Sequence, residues 1–538
     1  MIQLRRFTRG HRLLAAGAAL AASALLLSAC TATPPSAPAG TGVDTGAQID
    51  EVTVALPGSV SSLYVGQEAG IINYYVASVS QEGLVKIAAD GSIQPALAES
   101  WTQTDATTFV YQLREDATFQ DGTPVTVDDV IFSIEKAQDA EVSPNFSWLL
   151  AGIESAEQTA ERELTITLAS PSVSFQWATS TSGALYVTSR AFWEENEGKV
   201  GTSDGLILGS GPYKVTEYVP DSFVSFERVD TWWGGVPTVK SVRIEFIPDD
   251  NTRLLAMQSG EVDMAFNVPA AQAAQWEDLD NAAVRYTPDL SYVGLQFDTA
   301  IAPFGDEHVR KAIAHSIDRD AVVDKLLRGK AEVATALITP ESIASVYDGA
   351  AAREALAAVP QYDFDLDAAA AELAKSEFPD GFEAEITYPA SGPQLGQAAQ
   401  SLAQNLAKIG VTLTVTEVPL EEWYTTLADG VHGLGFMWYF STTGDPGELS
   451  SWILGEGNAS HYENPEIAAL LAQAAVETDQ AKRAELLIET NTLQAADAID
   501  LPLWWGQSAT AFSNDLGMND YGPFAFFSPW PAALYRAG

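Results

Sequence analysis

A single cysteine, Cys30, among 538 residues sets the first limit on what this chain can fold into. No intramolecular disulfide can form, so the fold must be held by burial and hydrogen bonding. The cysteine also divides the chain. Ahead of it stand Arg5, Arg6, Arg9 and Arg12 with no acid, then an apolar run from Leu13 to Leu27 interrupted only by Gly17 and Ser23. That run falls short of the roughly 20 residues that span a bilayer, and it suits the core of an export signal. Behind the cysteine, the segment Thr31 to Gly46 has Val43 as its one large apolar residue, which is the composition of a flexible tether.

Leu27-Ser28-Ala29-Cys30 resembles a bacterial lipobox, in which an aliphatic residue and two small ones precede the cysteine. The resemblance implies cleavage before Cys30 and acylation of its thiol. Residues 1–29 are then a lipoprotein signal peptide and residues 30–48 a lipid-anchored tether. No later stretch is apolar for long enough to cross a membrane. The mature chain is therefore expected outside the cytoplasm, lipid-anchored to the outer face of the cell membrane without traversing it.

The folded part is strongly acidic. With 28 basic and 72 acidic residues the net charge is −44, and removal of the signal peptide makes the chain more acidic still. Such a surface repels phosphate backbones and anionic lipid headgroups, which argues against nucleic acid as a partner. Hydrophobic residues make up 46%, and 13 Trp, 17 Tyr and 22 Phe supply large cores. The length allows about three domains.

Strand and helix patterns alternate along the chain. Glu51–Leu56, Thr108–Leu113, Glu163–Leu168, Phe223–Val229, Val239–Ile247 and Val411–Val418 read as strands. Asp121-Gly122-Thr123-Pro124 is a tight turn. Thr126 predicts a helix cap, with Asp128 and Asp129 in the positive first turn and Val127, Val130, Ile131 and Ile134 on one apolar face. Asp250 or Asn251 is expected to cap a helix ending at Gly260. A further strand is expected over Tyr292–Phe297, after Pro288. Asp306 and Asp318 cap two more helices, the second ending at Gly329, and Asn464-Pro465 starts an Ala-rich helical region reaching about Ala498. Leu501-Pro-Leu-Trp-Trp505 leads into an aromatic tail. The class is α/β with more than one sheet.

Several enzymatic chemistries lack their residues. The histidines are His11, His308, His315, His432 and His461. His308 and His315 lie seven apart on one helix, too far for an i,i+4 ligand pair, and no zinc or calcium motif occurs, so neither metal nor cofactor is expected. Gly209-Ser-Gly-Pro-Tyr213 lacks the third glycine of a dinucleotide loop. The Gly-x-Ser-x-Gly elbow of hydrolases is absent.

Four groups of segments, in order along nearly the whole mature chain, resemble family 5 of the bacterial extracellular solute-binding proteins. They are Pro95–Trp101 with Phe119–Pro124 and Asp128–Ser133; Gly209–Tyr213 with Trp232-Trp233 and Ser259–Asp263; Phe304–Asp306 with Val309–Ile313 and Ile317–Arg319; and His461–Glu466 with Leu501–Leu503. The resemblance implies a two-lobed, periplasmic-binding-protein-like fold (type II, cluster C) with an extra subdomain in the larger lobe. The expected division is lobe 1 over 49–93, its extra subdomain over 94–208, lobe 1 again over 209–290, lobe 2 over 291–503, and a return to lobe 1 over 504–538. The chain is expected to cross between lobes near 288–292 and 501–506. It also implies a monomeric receptor that is not an enzyme, captures a small molecule for an ABC permease and its ATPase, and closes on it. The rival classes are a secreted hydrolase and a binding protein that serves sensing rather than import.

The segment Gly435–Pro446 is expected to line the cleft, which makes Trp438, Tyr439, Ser441 and Asp445 candidate ligand contacts. In the family's peptide binders an Asp three residues after the tryptophan pairs with the peptide amine. That position is Ser441 here, which weakens the case for free-amine peptides, although a peptide stays the first choice. Trp423, Trp504 and Trp505 join the candidates because flat aromatic faces stack on sugars or flat organic ligands, so an oligosaccharide or another organic or metal-chelate ligand is the alternative. A strand would send only one of Trp504 and Trp505 to the cleft. Tyr64, in the loop after the first strand, completes the set.

Overall fold

The computed structural model describes residues 43–67, 70–420, 422, 423, 425, 433–441 and 444–538. Cys30, the export signal, most of the tether and His432 lie outside them. Among the described residues no helix is long and apolar enough to cross a membrane.

The helices used below are α1 (Ile71–Ser80), α2 (Val127–Gln138), α3 (Asp250–Ser259), α4 (Glu307–His315), α5 (Pro393–Leu406), α6 (Glu448–Leu454), α7 (Pro465–Ala474) and α8 (Gln480–Ala496). Short polar side chains start many of them by occupying the orphan N–H groups of the first turn. Thr126 and Asp129 exchange bonds across the first turn of α2, at 3.2 Å and 3.0 Å. Asp306 opens α4, and Asn464 opens α7 with Pro465 in its first turn. Helix α3 departs from the sequence reading by one residue: Asp249 is its cap, bonded to Thr252 N at 2.8 Å. The helix expected from Asp318 to Gly329 is a short α-turn, Arg319–Ala321, continued by a π-turn over Val322–Leu326.

One nine-stranded sheet runs through the molecule. In chain order its strands are β1 (Ile49–Leu56), β2 (Tyr213–Val219), β3 (Phe223–Arg228), β4 (Val239–Phe246), β5 (Met264–Ala265), β6 (Ala282–Phe297), β7 (Glu332–Val333), β8 (Leu434–Phe440) and β9 (Asp500–Ser513). Their spatial order is β8-β6-β9-β5-β1-β4-β3-β2, with β7 also on β9. A four-stranded antiparallel sheet is built from 98–103, 108–113, 163–168 and 153–160, and α2 buries Val127, Val130 and Ile134 in its core.

Buried side chains divide along the two longest strands. Residues up to Leu290 and from Ala509 onward build cores around Val54, Phe109, Tyr213, Trp276 and Phe512. Residues from Tyr292 to Trp505 build others around Phe297, Ile313, Leu402, Ile453 and Leu487. Among the described residues the chain passes between the two sets along β6 and β9, which pair antiparallel with each other.

Where β6 changes sides it bulges. Pro288 pairs with Gln507 and Tyr292 with Trp505, so Asp289, Leu290 and Ser291 face Gly506 alone. Asp289 pins this bulge. Its carboxylate accepts Ser291 N at 2.8 Å, Ser291 Oγ at 2.5 Å and, from β9, Ser508 Oγ at 2.9 Å. Burial raises its pKa against the pull of those bonds. A Cβ on Gly506 would overlap Ser291 Oγ, so the bulge requires glycine there. The sequence reading began this strand after Pro288. In fact β6 runs through the proline, whose missing N–H falls at the last regular pair before the bulge. Leu501–Trp505 belongs to β9.

Glu82, two residues past the end of α1, is only 3% exposed. Trp232 Nε1 donates to it at 3.3 Å and Trp233 Nε1 at 3.2 Å, and the Arg114 guanidinium stacks 3.9 Å over Trp233. Burial pushes the Glu82 carboxyl up to about 7, against the indole bonds.

Candidate binding cleft

Strand β8 brings the aromatic segment to the crossing point. Its residues Trp438, Tyr439 and Phe440 pair with Val293, Tyr292 and Ser291 of β6. The alternation of a strand then sorts the side chains. Trp438 packs on the core around Phe297, and Tyr439 on the core around Ile453. Phe440 reaches across to the other side, 6.4 Å from Phe527. Ser441 N donates to Leu290 O in the bulge at 3.2 Å.

Beyond the strand the chain turns into α6. Gly444 (φ +64) lies so close to Trp177 that a Cβ would overlap the indole. Arg483 Nη2 donates to both Asp445 oxygens, at 2.7 Å and 2.8 Å, and Gly447 N donates to Oδ1 at 2.6 Å; the Asp445 and Arg483 side chains are only 8% and 7% exposed. Arg483 Nε donates to Ala474 O at 2.9 Å. Glu448, the first residue of α6, accepts Ser441 Oγ at 2.7 Å on one oxygen and the Tyr439 hydroxyl on the other. Burial and the Glu448 carboxylate together raise the Tyr439 pKa strongly, and the same carboxylate adds to the rise at Tyr74 on α1.

Asp445, Glu448 and Arg483 face a cleft of about 330 Å³. One wall comes from Trp148, Leu149 and the stretch 170–175; the other comes from Gly447, Ser451, Leu471 and Leu487. The walls belong to the two different sets of cores. The volume sits at the lower end of the roughly 300–1,000 Å³ typical of small-molecule sites.

Of the residues singled out in the sequence, Asp445 lines this cleft, and Tyr439 and Ser441 act on it through Glu448. The structure places the other candidates away from this cleft. Tyr64 is buried beside Trp193 with its ring edge-on at 5.0 Å, its hydroxyl 3.0 Å from Ser143 Oγ, and burial pushes its pKa up to about 12. Trp423 and Trp504 are buried in the core around Phe297, with Trp438 half-buried against them, 6.4 Å from Trp423. Trp505 is buried in the core around Ile453 and donates its indole N–H to Ala336 O at 3.2 Å. The two faces of β9 send Trp504 and Trp505 into two cores and neither into the cleft. Sequence reasoning missed Glu448, Arg483 and Trp148. A dicarboxylate reading of Asp445 and Glu448, three apart around a helix start, was the one available signal.

His308 Nδ1 lies 2.7 Å from Glu372 Oε2, His315 Nδ1 2.8 Å from Asp363 O and His461 Nδ1 2.9 Å from Asp298 Oδ1, each in a separate local contact. No group of three or more His, Cys, Asp or Glu side chains among the described residues could hold a metal ion.

The model of the bacterial extracellular solute-binding proteins, family 5 (middle region), matches residues 92–461. The chain belongs to that family. Heme-binding protein A of Haemophilus influenzae is 24% identical over 76% of this chain and 78% of its own length. The dipeptide-binding protein DppE of Bacillus subtilis is 26% identical over 79% of this chain and 81% of its own. Among solved structures, the ABC transporter-associated periplasmic binding protein DppA of Helicobacter pylori, in complex with the peptide STSA, superposes with a TM-score of 0.73 at 22% identity, covering 92% of this chain and 99% of that one. The fold is therefore the two-lobed periplasmic-binding fold, the two sets of cores are its lobes, and family members act as extracytoplasmic binding proteins and not as enzymes.

Proposed function

We propose that this chain is the substrate-binding lipoprotein of an ABC-type importer, capturing a small solute, a peptide first among the candidates, and delivering it to a permease driven by its ATPase. The observation that carries the reading is the cleft whose two walls belong to different sets of cores, between which β6 and β9 carry the chain. Ligand would be enclosed when the lobes close about Leu290–Tyr292 and Gly506–Ser508. The extra subdomain, 94–208, supplies the first-lobe wall. Acylation of Cys30 would hold the protein at the outer face of the membrane.

The test pairs two measurements. Addition of a mixed pool of di- to pentapeptides to the purified mature protein should raise its melting temperature, because a ligand of the native state stabilises by RT ln(1 + [L]/Kd). The same addition should shrink the radius of gyration in X-ray scattering. Conversion of a pool member to product, abolished by one substitution, would defeat the reading. For the anchor, Cys30→Ala should release the protein from membranes into the medium, and retention would count against lipidation.

A further inference from the structure

A second cavity, of about 470 Å³, lies wholly within the first set of cores, away from the cleft. It is larger than the cleft and falls in the size range of small-molecule sites. The strand pair 85–87 and 93–95 lines it together with Trp232, Gly234 and the C-terminal segment 518–533. Three of its lining side chains have already given their protons. Trp232 Nε1 donates to Glu82, Trp530 Nε1 to Tyr75 O at 2.9 Å and Thr181 Oγ1 to Phe527 O at 2.8 Å. Gly234 folds onto Trp232 so closely that a Cβ would overlap the ring, which fixes the indole as a wall.

What the lining leaves over is one charge of each sign. Half-buried Lys86 acts on Glu82 through space, but among the described residues no carboxylate lies within ion-pair reach of its ammonium. Asp520 is exposed at the cavity and held at φ +53, a left-handed backbone that costs energy in any residue but glycine, and among the described residues no cation pairs with it. A guest with a single charge would satisfy only one of the two. A net anion is also repelled by the field of a chain of charge −44, whereas a guest of no net charge is not.

We infer that this cavity is a second small-molecule site, separate from the cleft, and that it takes a small zwitterion whose carboxylate meets Lys86 and whose ammonium meets Asp520. The site is independent of the receptor reading, since it lies on one side of the hinge and needs no closure.

The test is hydrogen–deuterium exchange on the purified mature protein, with α-amino acids, ω-amino acids and dipeptides as probes at millimolar concentration. The expected result is protection of 82–96 and 518–533 by at least one probe, with no accompanying drop in the radius of gyration. A guest in the cleft would instead protect 434–440 and 448–454 and shrink the molecule. N-acetylation or amidation of the active probe removes one of its charges and should weaken it by about tenfold to a hundredfold, the range for one hydrogen bond to a charged group. Lys86→Gln and Asp520→Asn should each do the same, and their unliganded melting curves check that they fold. Absence of protection at 82–96 and 518–533 with every probe would overturn the inference. So would equal protection by the acetylated and amidated forms, or undiminished protection in a folded Lys86→Gln. Each of these leaves the receptor reading standing, because that reading is tested by closure of the cleft.

Discussion

Arg483 and Asp445 are almost wholly withdrawn from water, so each depends on the other. Replacing Arg483 by alanine leaves the Asp445 carboxylate without its guanidinium in a sheltered place. The expected cost is about 3–5 kcal/mol in urea denaturation, with a large part recovered in the double variant that also carries Asp445→Asn. Glu82 poses a different residue-level question, that of pH. Its folded-state pKa, about 7, lies above the ordinary glutamate value of about 4.3. Between those two values the native state holds a proton that the unfolded state has lost. Glu82's contribution to stability is therefore full below the unfolded-state value and falls as pH rises toward 7, by about 1.4 kcal/mol per pH unit. Buried Asp500, raised by burial to about 7 as well, adds to the same slope. Glu82→Gln keeps an acceptor for the indoles and should flatten the slope by Glu82's share. Residues such as Ser441 and Asp445 were legible because they sit in one contiguous aromatic segment. Arg483 was not, since its partner lies 38 positions away and only tertiary folding joins them. Glu448, as the first residue of a helix, is what dipole chemistry alone would place there.

Among elements, helix starts were the most legible feature, because a cap is settled by two or three neighbouring residues. Thr126, Asp306 and Asn464 all do what their local sequence dictates. The long strands were not, because a strand's extent depends on what pairs with it. Pro288 reads locally as a break, yet it lies inside a strand whose ladder tolerates irregularity at that point. The bulge makes a testable prediction of its own. Gly506→Ala forces the new methyl against Ser291 and Asp289, and should cost about 1–3 kcal/mol, the usual range for overpacking, read as a lower urea midpoint. Ser508→Ala removes one of three bonds to Asp289 without a clash. It should cost less, about 1 kcal/mol, and change how far the lobes close, as measured by the ligand-induced drop in radius of gyration.

The whole molecule contributes through its charge. A net charge of −44 concentrates cations around the cleft over distances set by the Debye length, about 30 Å at 0.01 M salt and about 8 Å at 0.15 M. Stopped-flow association of a cationic ligand should therefore slow as salt is raised across that range, whereas the dissociation rate should respond far less. Both crossings between lobes are carried by strands bonded to each other, and this limits how the halves can move. Twisting one half about the long axis would shear the ladder, whereas flexing across the bulge only bends it. The pair acts as the spine of a folder with one easy motion. Any membrane partner that touches both covers at once could distinguish a full folder from an empty one by their angle alone, without contacting what lies between them.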